Sequence, residues 1–357
     1  MQVERVLAGF QIWENKVESN VTEQTTGHVS TEDTVPENGS DVVPYQPRIA
    51  TSPVSPNTSL QRISSPTPVL QHEPQVKKHP PVSLVADKYM ILDELEGSSL
   101  NMCVNIHTKE DFVCKIVPRE NSSNLLSAHY LFDSHPHINT LHEVILGDKF
   151  LYLLFPPSHG DLHSYVRQRK RLKETEAKKL FRQIVETVRA CHEQGIVLRD
   201  LKLRKFVFAD PQRTLIRLET LEDAILLEDI RSDELQDKRG CPAYVSPEIL
   251  RSHAKYSGRA ADIWSLGIIL YTMLVGRYPF NDLHHSSLFA KISRGYFTIP
   301  ESLSPKAKCL IRSLLRRDPS ERLPASDILD HPWFTRRSKY YSSSNDSDQI
   351  VPDISRL

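Results

Sequence analysis

Apolar and polar positions divide the 357-residue chain into three parts. Up to about Pro81, large apolar residues are sparse, and Ser, Thr, Glu and Pro are frequent. Such a segment cannot bury enough apolar surface to offset the conformational entropy lost on folding. We therefore predict a disordered tail over residues 1–84. Four pairs in it fit either phosphorylation by proline-directed kinases or an ordinary linker: Ser52-Pro53, Ser55-Pro56, Ser65-Pro66 and Thr67-Pro68.

From residue 85 onward the apolar residues first form short runs and then recur at helical spacing. The runs at 88–92, 111–117 and 150–155 are rich in β-branched and aromatic residues and predict β-strands. Helices follow, and the one at 260–275 is apolar on nearly every face and is ended by Gly276. The pattern predicts an α+β fold with a small β-rich part before a larger helical part.

Composition excludes several classes of function. The chain has 45 Lys and Arg against 45 Asp and Glu, so no overall field draws it to nucleic acid or to an acidic membrane. Its 5 cysteines are widely separated and never form a CxxC pair, which argues against a disulfide framework or a zinc site. No stretch approaches the ~20 apolar residues of a membrane span. We expect a soluble protein of the nucleus and cytoplasm.

Four short motifs follow one another in the second half of the chain. They read P-A-Y-V-S-P-E at 242–248, D-I-W-S-L-G at 262–267, D-P-S-E-R at 318–322 and H-P-W-F at 331–334. Each resembles a signature of the protein kinases, and four in order leave little room for chance. The resemblance implies a two-lobed protein-kinase-like fold over 85–336, with an N-lobe at 85–156 and a C-lobe at 157–336. It also implies a buried Glu248–Arg322 ion pair and an Asp262 that holds the catalytic-loop backbone.

Phosphoryl transfer needs a glycine-rich loop, a lysine oriented by a helix glutamate, two metal ligands and a catalytic aspartate. The loop at 95–104 has a single glycine, Gly97, so the backbone cannot approach phosphate closely. Lys115 matches the strand lysine, but the stretch at 124–131, where its glutamate would lie, contains no acid. We predict that Lys115 lacks its orienting partner in the active arrangement and that this short stretch forms a distorted helix.

The catalytic loop reads L-R-D-L-K-L-R-K at 198–205. Asp200 and Lys202 keep the catalytic-base and phosphate-contacting positions. Lys205 occupies the position of the asparagine that ligates magnesium, where a cation repels the metal. Thr220, in the segment T-L-E at 220–222, replaces the metal-chelating aspartate of the D-F-G motif.

Three acids near Thr220 leave two interpretations: Glu219, Glu222 and Asp223 either capture magnesium from a neighbouring position or are solvated acids in a remodelled loop. We favour solvated acids because the asparagine ligand is missing too. The sequence thus predicts a pseudokinase without a metal site and without a required cofactor. Its ATP binding, through Lys115, is expected to be weak or absent, and Lys115, Asp200 and Lys202 are expected to be vestigial.

The T-L-E segment, the L-R-D-L-K-L-R-K-F loop and the sparse glycine loop together resemble the Tribbles pseudokinases. In the flexible tail at 337–357, D-Q-I-V-P-D matches the family's peptide that recruits an E3 ubiquitin ligase of the constitutive-photomorphogenic type. The proline fixes φ in an extended apolar anchor, and the flanking acids can meet basic residues of a receptor groove. The implied ligase-binding residues are Asp348, Gln349, Ile350, Val351, Pro352 and Asp353.

Another stretch resembles the family's segment that is implicated in binding MAP kinase kinases. The alternative is core packing, because active kinases carry H-P-W-F as well. The residues concerned are Ile328, Leu329, Asp330, His331, Pro332, Trp333 and Phe334.

The resemblance implies an adaptor. Its kinase-like lobes would hold a degron of a transcription factor of the CCAAT/enhancer-binding class while the tail brings the ligase, which raises the ligase concentration at the substrate. It would also bind MAP kinase kinases. Two alternatives stay open: a weak, metal-independent ATP-binding kinase that autophosphorylates slowly, and an inhibitor that sequesters kinases without a ligase.

Overall fold

A computed structural model describes residues 83–95, 98–132, 134–251 and 255–335. The predictions for residues 1–82, for Gly97 and for the ligase-binding peptide lie outside these ranges. Residues 83–335 form the two lobes that the kinase resemblance implies, a β-sheet N-lobe and a helical C-lobe.

The N-lobe is one antiparallel sheet of six strands in the order β1-β2-β3-β4-β6-β5. Strand β1 begins at Ser83, two residues before the predicted domain start. All three predicted strands are present, as β2, β4 and β6. The bounds are β1 Ser83–Val85, β2 Tyr89–Glu94, β3 Asn101–Asn105, β4 Asp111–Pro118, β5 Glu143–Leu146 and β6 Phe150–Phe155.

Helix α1 (Ser123–Tyr130) follows β4 after a single 3-10 turn. It is short, as the sequence indicates, but has α-helical geometry over eight residues rather than a distorted one. Its buried side chains are Leu125, Leu126, Ala128 and His129, so the helix packs against the sheet by one face.

The C-lobe is built around α4, which is buried along nearly its whole length. Helix α4 is long and apolar enough to span a membrane by length and composition, but 83% of that window lies inside the protein, so it is a core helix. Gly276 ends it with φ +79°, a left-handed conformation that favours glycine. The helices are α2 Leu162–Arg169, α3 Glu174–Glu193, α4 Gly258–Val275, α5 His285–Arg294, α6 Pro305–Leu314 and α7 Ala325–Ile328.

Three short strand pairs position the loops of the C-lobe. Pairs β7–β10 and β8–β9 bracket the catalytic loop and the T-L-E segment, and pair β11–β12 precedes α4. The bounds are β7 Ile196–Val197, β8 Phe206–Phe208, β9 Ile216–Leu218, β10 Ile225–Leu226, β11 Glu234–Leu235 and β12 Tyr256–Ser257.

Candidate functional site: the cleft between the lobes

The sheet and the two short strand pairs bring the vestigial kinase residues together in one cleft. Strand β4 carries Lys115. The loop from β7 to β8 carries Asp200, Lys202 and Lys205, and Glu222 follows β9. Ion pairs join all five side chains into one network.

Lys115 has an acidic partner, but it is not the helix glutamate of an active kinase. Helix α1 supplies none, but Glu222 Oε2 forms an ion pair with Lys115 Nζ. The side chains of Lys115 and Glu222 are 14% and 22% exposed. Glu222 is therefore a largely buried counter-ion, and its predicted state as a solvated acid is wrong.

Lys205 projects into the same group of acids. Its Nζ contacts Asp223 Oδ2 and lies 3.5 Å from Glu222 Oε1 and 3.7 Å from Asp200 Oδ2. A cation surrounded by three carboxylates occupies the kind of environment that magnesium needs. Because the ammonium group already neutralises these acids, the residues do not fit a magnesium ion as they stand. Among the described residues no group of three or more His, Cys, Asp or Glu is arranged to hold a metal.

Both carboxylate oxygens of Asp200 accept hydrogen bonds from the protein itself. Oδ2 accepts a hydrogen bond from Lys202 Nζ at 2.5 Å, and Oδ1 accepts one from the backbone N–H of Cys241 at 3.0 Å. Burial acts to lower the pKa of Lys202, but the contact with Asp200 outweighs it and the pKa is raised. The lysine therefore stays charged and paired.

The lysines of the cleft lie beside carboxylates of the protein itself. Three ammonium groups (Lys115, Lys202 and Lys205) face three carboxylates (Asp200, Glu222 and Asp223). Burial alone would raise the pKa of Glu222, yet the charges of Lys205 and Lys115 bring it below its ordinary value. These three lysines and three carboxylates thus neutralise one another.

Two serines of the loop before β3 tie the N-lobe to the C-lobe. Ser98 Oγ donates to Glu219 Oε2 at 3.1 Å, and Ser99 Oγ donates to Glu222 at 2.9 Å. We call this group, Ser98, Ser99, Glu219 and Glu222, the serine clamp. It holds the loop that covers phosphate in a kinase against the segment that replaces D-F-G.

Glu219 is an acid of the cleft that accepts a hydrogen bond from Ser98 but is in no ion pair within the described ranges. Burial raises its pKa to about 7, and the neighbouring charge of Glu222 acts in the same direction. It lines a cavity of about 370 Å³ together with Leu95, Asp161 and Arg204. Among the described residues none forms an ion pair with Glu219, and its charge changes near neutral pH.

Thr220 and Leu221 turn inward instead of facing a metal. Thr220 is 4% exposed. The N–H of Leu221 donates to Nε2 of His129 on α1 at 3.1 Å, and burial lowers the pKa of His129 to about 4. A neutral histidine therefore accepts this hydrogen bond, and it fixes the T-L-E segment to α1.

The contacts of Asp262 are those that the kinase resemblance implies. Its Oδ2 accepts from the N–H of Leu198 at 2.8 Å, and Oδ1 accepts from the N–H of Arg199 at 2.9 Å. The Nε2 of His192 lies 2.9 Å from Oδ2, so His192 helps to hold the loop from the end of α3. Arg199 has φ +61°, and its guanidinium bonds Asp237 at 2.6 Å.

Arg322 and Glu248 form the buried ion pair. Arg322 Nη1 and Nη2 donate to the two carboxylate oxygens of Glu248 at 2.5 and 2.7 Å. The side chains are 1% and 5% exposed. Such a bidentate pair holds the end of the activation segment on the C-lobe.

The segment at 328–334 is mostly core. Ile328, Trp333 and Phe334 are 0%, 1% and 5% exposed, and the Phe334 ring stacks on Phe181 of α3. Trp333 Nε1 also donates to Glu174 Oε2 at 3.2 Å. Leu329 is half-buried, and the exposed residues of this segment are Asp330 and Pro332.

Sequence reasoning missed four contributors to the cleft: Ser98, Ser99, His129 and the pairing role of Glu222. The first three are polar residues in ordinary positions, and nothing in their spacing marks them. A signal did exist for Glu222, because an extra lysine and extra acids appeared together in loops that meet in the kinase fold.

Comparisons with known proteins agree with this geometry. The protein kinase domain model matches residues 96–334. Tribbles homolog 2 of Bos taurus is 54% identical over 271 residues, which cover 75% of this chain and 79% of that protein. Tribbles homolog 1 of Homo sapiens is 52% identical over 277 residues (77% and 74%), and Tribbles homolog 3 of Mus musculus 48% over 273 residues (75% and 77%). The chain therefore belongs to the Tribbles pseudokinase family.

Proposed function

We propose that this protein is an adaptor that acts by binding other proteins and not by transferring phosphate. One observation carries the proposal: Lys115, Lys202 and Lys205 are each paired with a carboxylate of the cleft. In a working kinase the lysine must meet phosphate, and two carboxyl or amide side chains must hold metal. Here the lysines and carboxylates at these positions form ion pairs with one another.

The energetic argument favours this function over weak catalysis. Binding of magnesium and ATP would require breaking the pairs of Lys115 and Lys205, which leaves buried charges without partners. Removing one preorganised electrostatic group commonly slows an enzyme by about 100- to 1000-fold. The metal-binding asparagine and aspartate are both replaced here, by Lys205 and Thr220. Slow, metal-independent autophosphorylation is the alternative that Lys115 and Asp200 keep open.

The C-terminal tail would provide the second binding site of the adaptor. We propose that residues 348–353 recruit an E3 ubiquitin ligase of the constitutive-photomorphogenic type, while the lobes hold a degron of a CCAAT/enhancer-binding transcription factor. The support is the match of D-Q-I-V-P-D to the family peptide together with membership of the Tribbles family. This activity would take place in the nucleus and cytoplasm.

Substitutions in the tail test this function. Val351→Ala with Pro352→Ala should leave binding of the transcription factor unchanged but abolish co-precipitation of the ligase and degradation of the factor in cells. Ser343→Ala with Ser344→Ala, in the same tail but outside the peptide, is the matched control. Unchanged degradation with the Val351 and Pro352 double variant would refute the role of the tail.

A second proposed activity is binding of MAP kinase kinases, through Asp330, His331 and Pro332. The observation behind it is that Asp330 and Pro332 are exposed and His331 half-buried, whereas the apolar neighbours are in the core. Asp330→Ala with Pro332→Ala should therefore weaken co-precipitation of a MAP kinase kinase. A chain truncated before Asp348 should retain that binding, because an inhibitor that sequesters kinases does not need the ligase peptide.

A further inference from the structure

A second cavity lies in the C-lobe, where the end of α2 meets the turn after α4. Its volume is about 320 Å³. Helix α2 contributes His163 and Arg167, the following turn Lys170, and the turn after α4 Arg277 and Tyr278. No Asp or Glu is among the described residues that line it. We call this cavity the basic pocket.

Three cations of the basic pocket are without an acidic partner. Arg167, Lys170 and Arg277 are exposed, and within the described ranges none of them forms an ion pair. His163 lies among them. Burial lowers its pKa, and the charges of Arg204 and Arg167 lower it further against the opposing charge of Asp161. At His163 the charges of Arg204 and Arg167 thus act in the same direction as burial, and only Asp161 acts against them.

The wall of the basic pocket is rigid. Lys170 has φ +66°, a conformation that costs a non-glycine residue energy. Its carbonyl oxygen packs so closely on Gly276 that a Cβ there would lie 1.8 Å away. Leu203 and Thr272 form a buried floor. The end of α2 is thus locked to the end of α4, and the cations are held around an existing cavity.

We propose that the basic pocket binds a phosphorylated side chain on an extended segment of a partner protein. A phosphate group carries about −1.5 to −2 charge at neutral pH and three strong acceptor oxygens. Two guanidinium groups and one ammonium match that charge and that number of acceptors, and arginine binds phosphate in bidentate geometry. A single carboxylate would leave most of the positive charge unpaired. The site does not depend on the adaptor function or on the cleft between the lobes.

Lys170→Gly is the sharpest test, because it removes one cation and relieves the strained φ instead of threatening the fold. Lys109→Gly is a matched control: Lys109 also has positive φ, at +62°, and lies in the N-lobe turn before β4. The full-length chain and both variants are passed over immobilised peptide pools. One central position is fixed as phosphoserine, serine or glutamate, and the flanking positions are varied.

The expected result is retention of the full-length chain and of Lys109→Gly on the phosphoserine pool, with about tenfold weaker retention of Lys170→Gly and of Arg277→Gln. Inorganic phosphate at millimolar concentration should compete. Equal retention on the glutamate pool would show a general site for acidic peptides and overturn the phosphate assignment. Retention on phosphoserine no greater than on serine, or unaffected by Lys170→Gly, would overturn the site itself.

Discussion

At the scale of single residues, the cleft is decided by which carboxylate each lysine meets. Lys115 and Glu222 are far apart in sequence and come from different lobes, yet they form an ion pair that is largely shielded from water. Replacing one partner of such a pair leaves the other side chain buried and charged without a counter-ion. That side chain is then available to bind another group of opposite charge. Binding of a phosphate by Lys115 therefore depends on its ion pair with Glu222.

Glu222→Gln is expected to free Lys115 for the phosphates of a nucleotide. ATP without magnesium should then raise the melting temperature more than it does for the unchanged chain, corresponding to roughly tenfold tighter binding, or about 1.4 kcal/mol. Thermal shift measurements with and without magnesium check this. Adding Lys115→Ala should remove the gain; if the gain persists, the phosphates bind elsewhere.

Glu219 makes stability depend on pH. Its pKa in the folded protein is about 7 against an ordinary value of 4.5, so the folded state binds more protons than the unfolded state between these values. The free energy of unfolding therefore falls as pH rises through this window. Glu219→Gln should remove that fall. The free energy of unfolding of the variant, relative to that of the unchanged chain, should therefore increase by on the order of 1–2 kcal/mol from pH 5 to pH 8.

Urea unfolding at a series of pH values measures this gain. Glu228→Gln, on the exposed surface, is the control for losing one negative charge. A difference between Glu219→Gln and the unchanged chain that stays constant from pH 5 to pH 8 would contradict the assignment to Glu219.

At the scale of elements, buried polar contacts hold loops where apolar packing alone would leave them loose. Asp262, at the start of α4, binds two backbone N–H groups of the catalytic loop. Arg322 binds Glu248 and also the carbonyl oxygen of Ala260 at 2.7 Å. The activation segment, α4 and the turn before α7 are thus joined by one guanidinium group. These contacts stabilise the C-lobe independently of any phosphate transfer in the cleft.

Arg322→Ala is expected to destabilise the protein by about 3–5 kcal/mol, since it leaves the buried carboxylate of Glu248 uncompensated. Lys255→Ala, which removes one partner of an exposed pair with Glu234, should cost no more than about 1 kcal/mol. Chemical denaturation of both variants gives the two values. Equal losses would mean that the buried pair has no special role.

At the scale of the whole molecule, the two lobes are connected across the cleft by the serine clamp and by the Lys115–Glu222 pair. In a kinase a nucleotide and its metals occupy this space. Here ion pairs and hydrogen bonds between the protein's own side chains cross it and connect the lobes. The surfaces that we propose to bind partners, including the basic pocket, therefore belong to a domain whose lobes are already connected.

Ser98→Ala with Ser99→Ala should loosen that connection. Amide hydrogen exchange of residues 98–105 is expected to speed up by roughly tenfold, because two hydrogen bonds of about 0.5–1.5 kcal/mol each are lost. Ser286→Ala with Ser287→Ala, two adjacent exposed serines on α5, is the matched control. Unchanged exchange in the loop would show that the clamp does not restrain it.

Much of the fold and part of the cleft could be predicted from sequence. The strands at β2, β4 and β6 and the helix α4 follow from apolar patterns, and the replacement of metal ligands by Lys205 and Thr220 follows from motif positions. The partner of Lys115 could not be predicted, because α1 lacks an acid and the acid that replaces it lies in the opposite lobe. The predicted solvation of Glu222 was wrong for the same reason.

The sequence by itself determined which chemical groups are present and which kinase groups are missing, because local patterns and motif spacing are properties of neighbouring residues. Only the tertiary structure decided how the remaining charges are used. Ion pairing depends on distance and burial, and residues about a hundred positions apart become neighbours only when β4, β9 and the catalytic loop meet. That convergence pairs Lys115, Lys202 and Lys205 with carboxylates of the cleft.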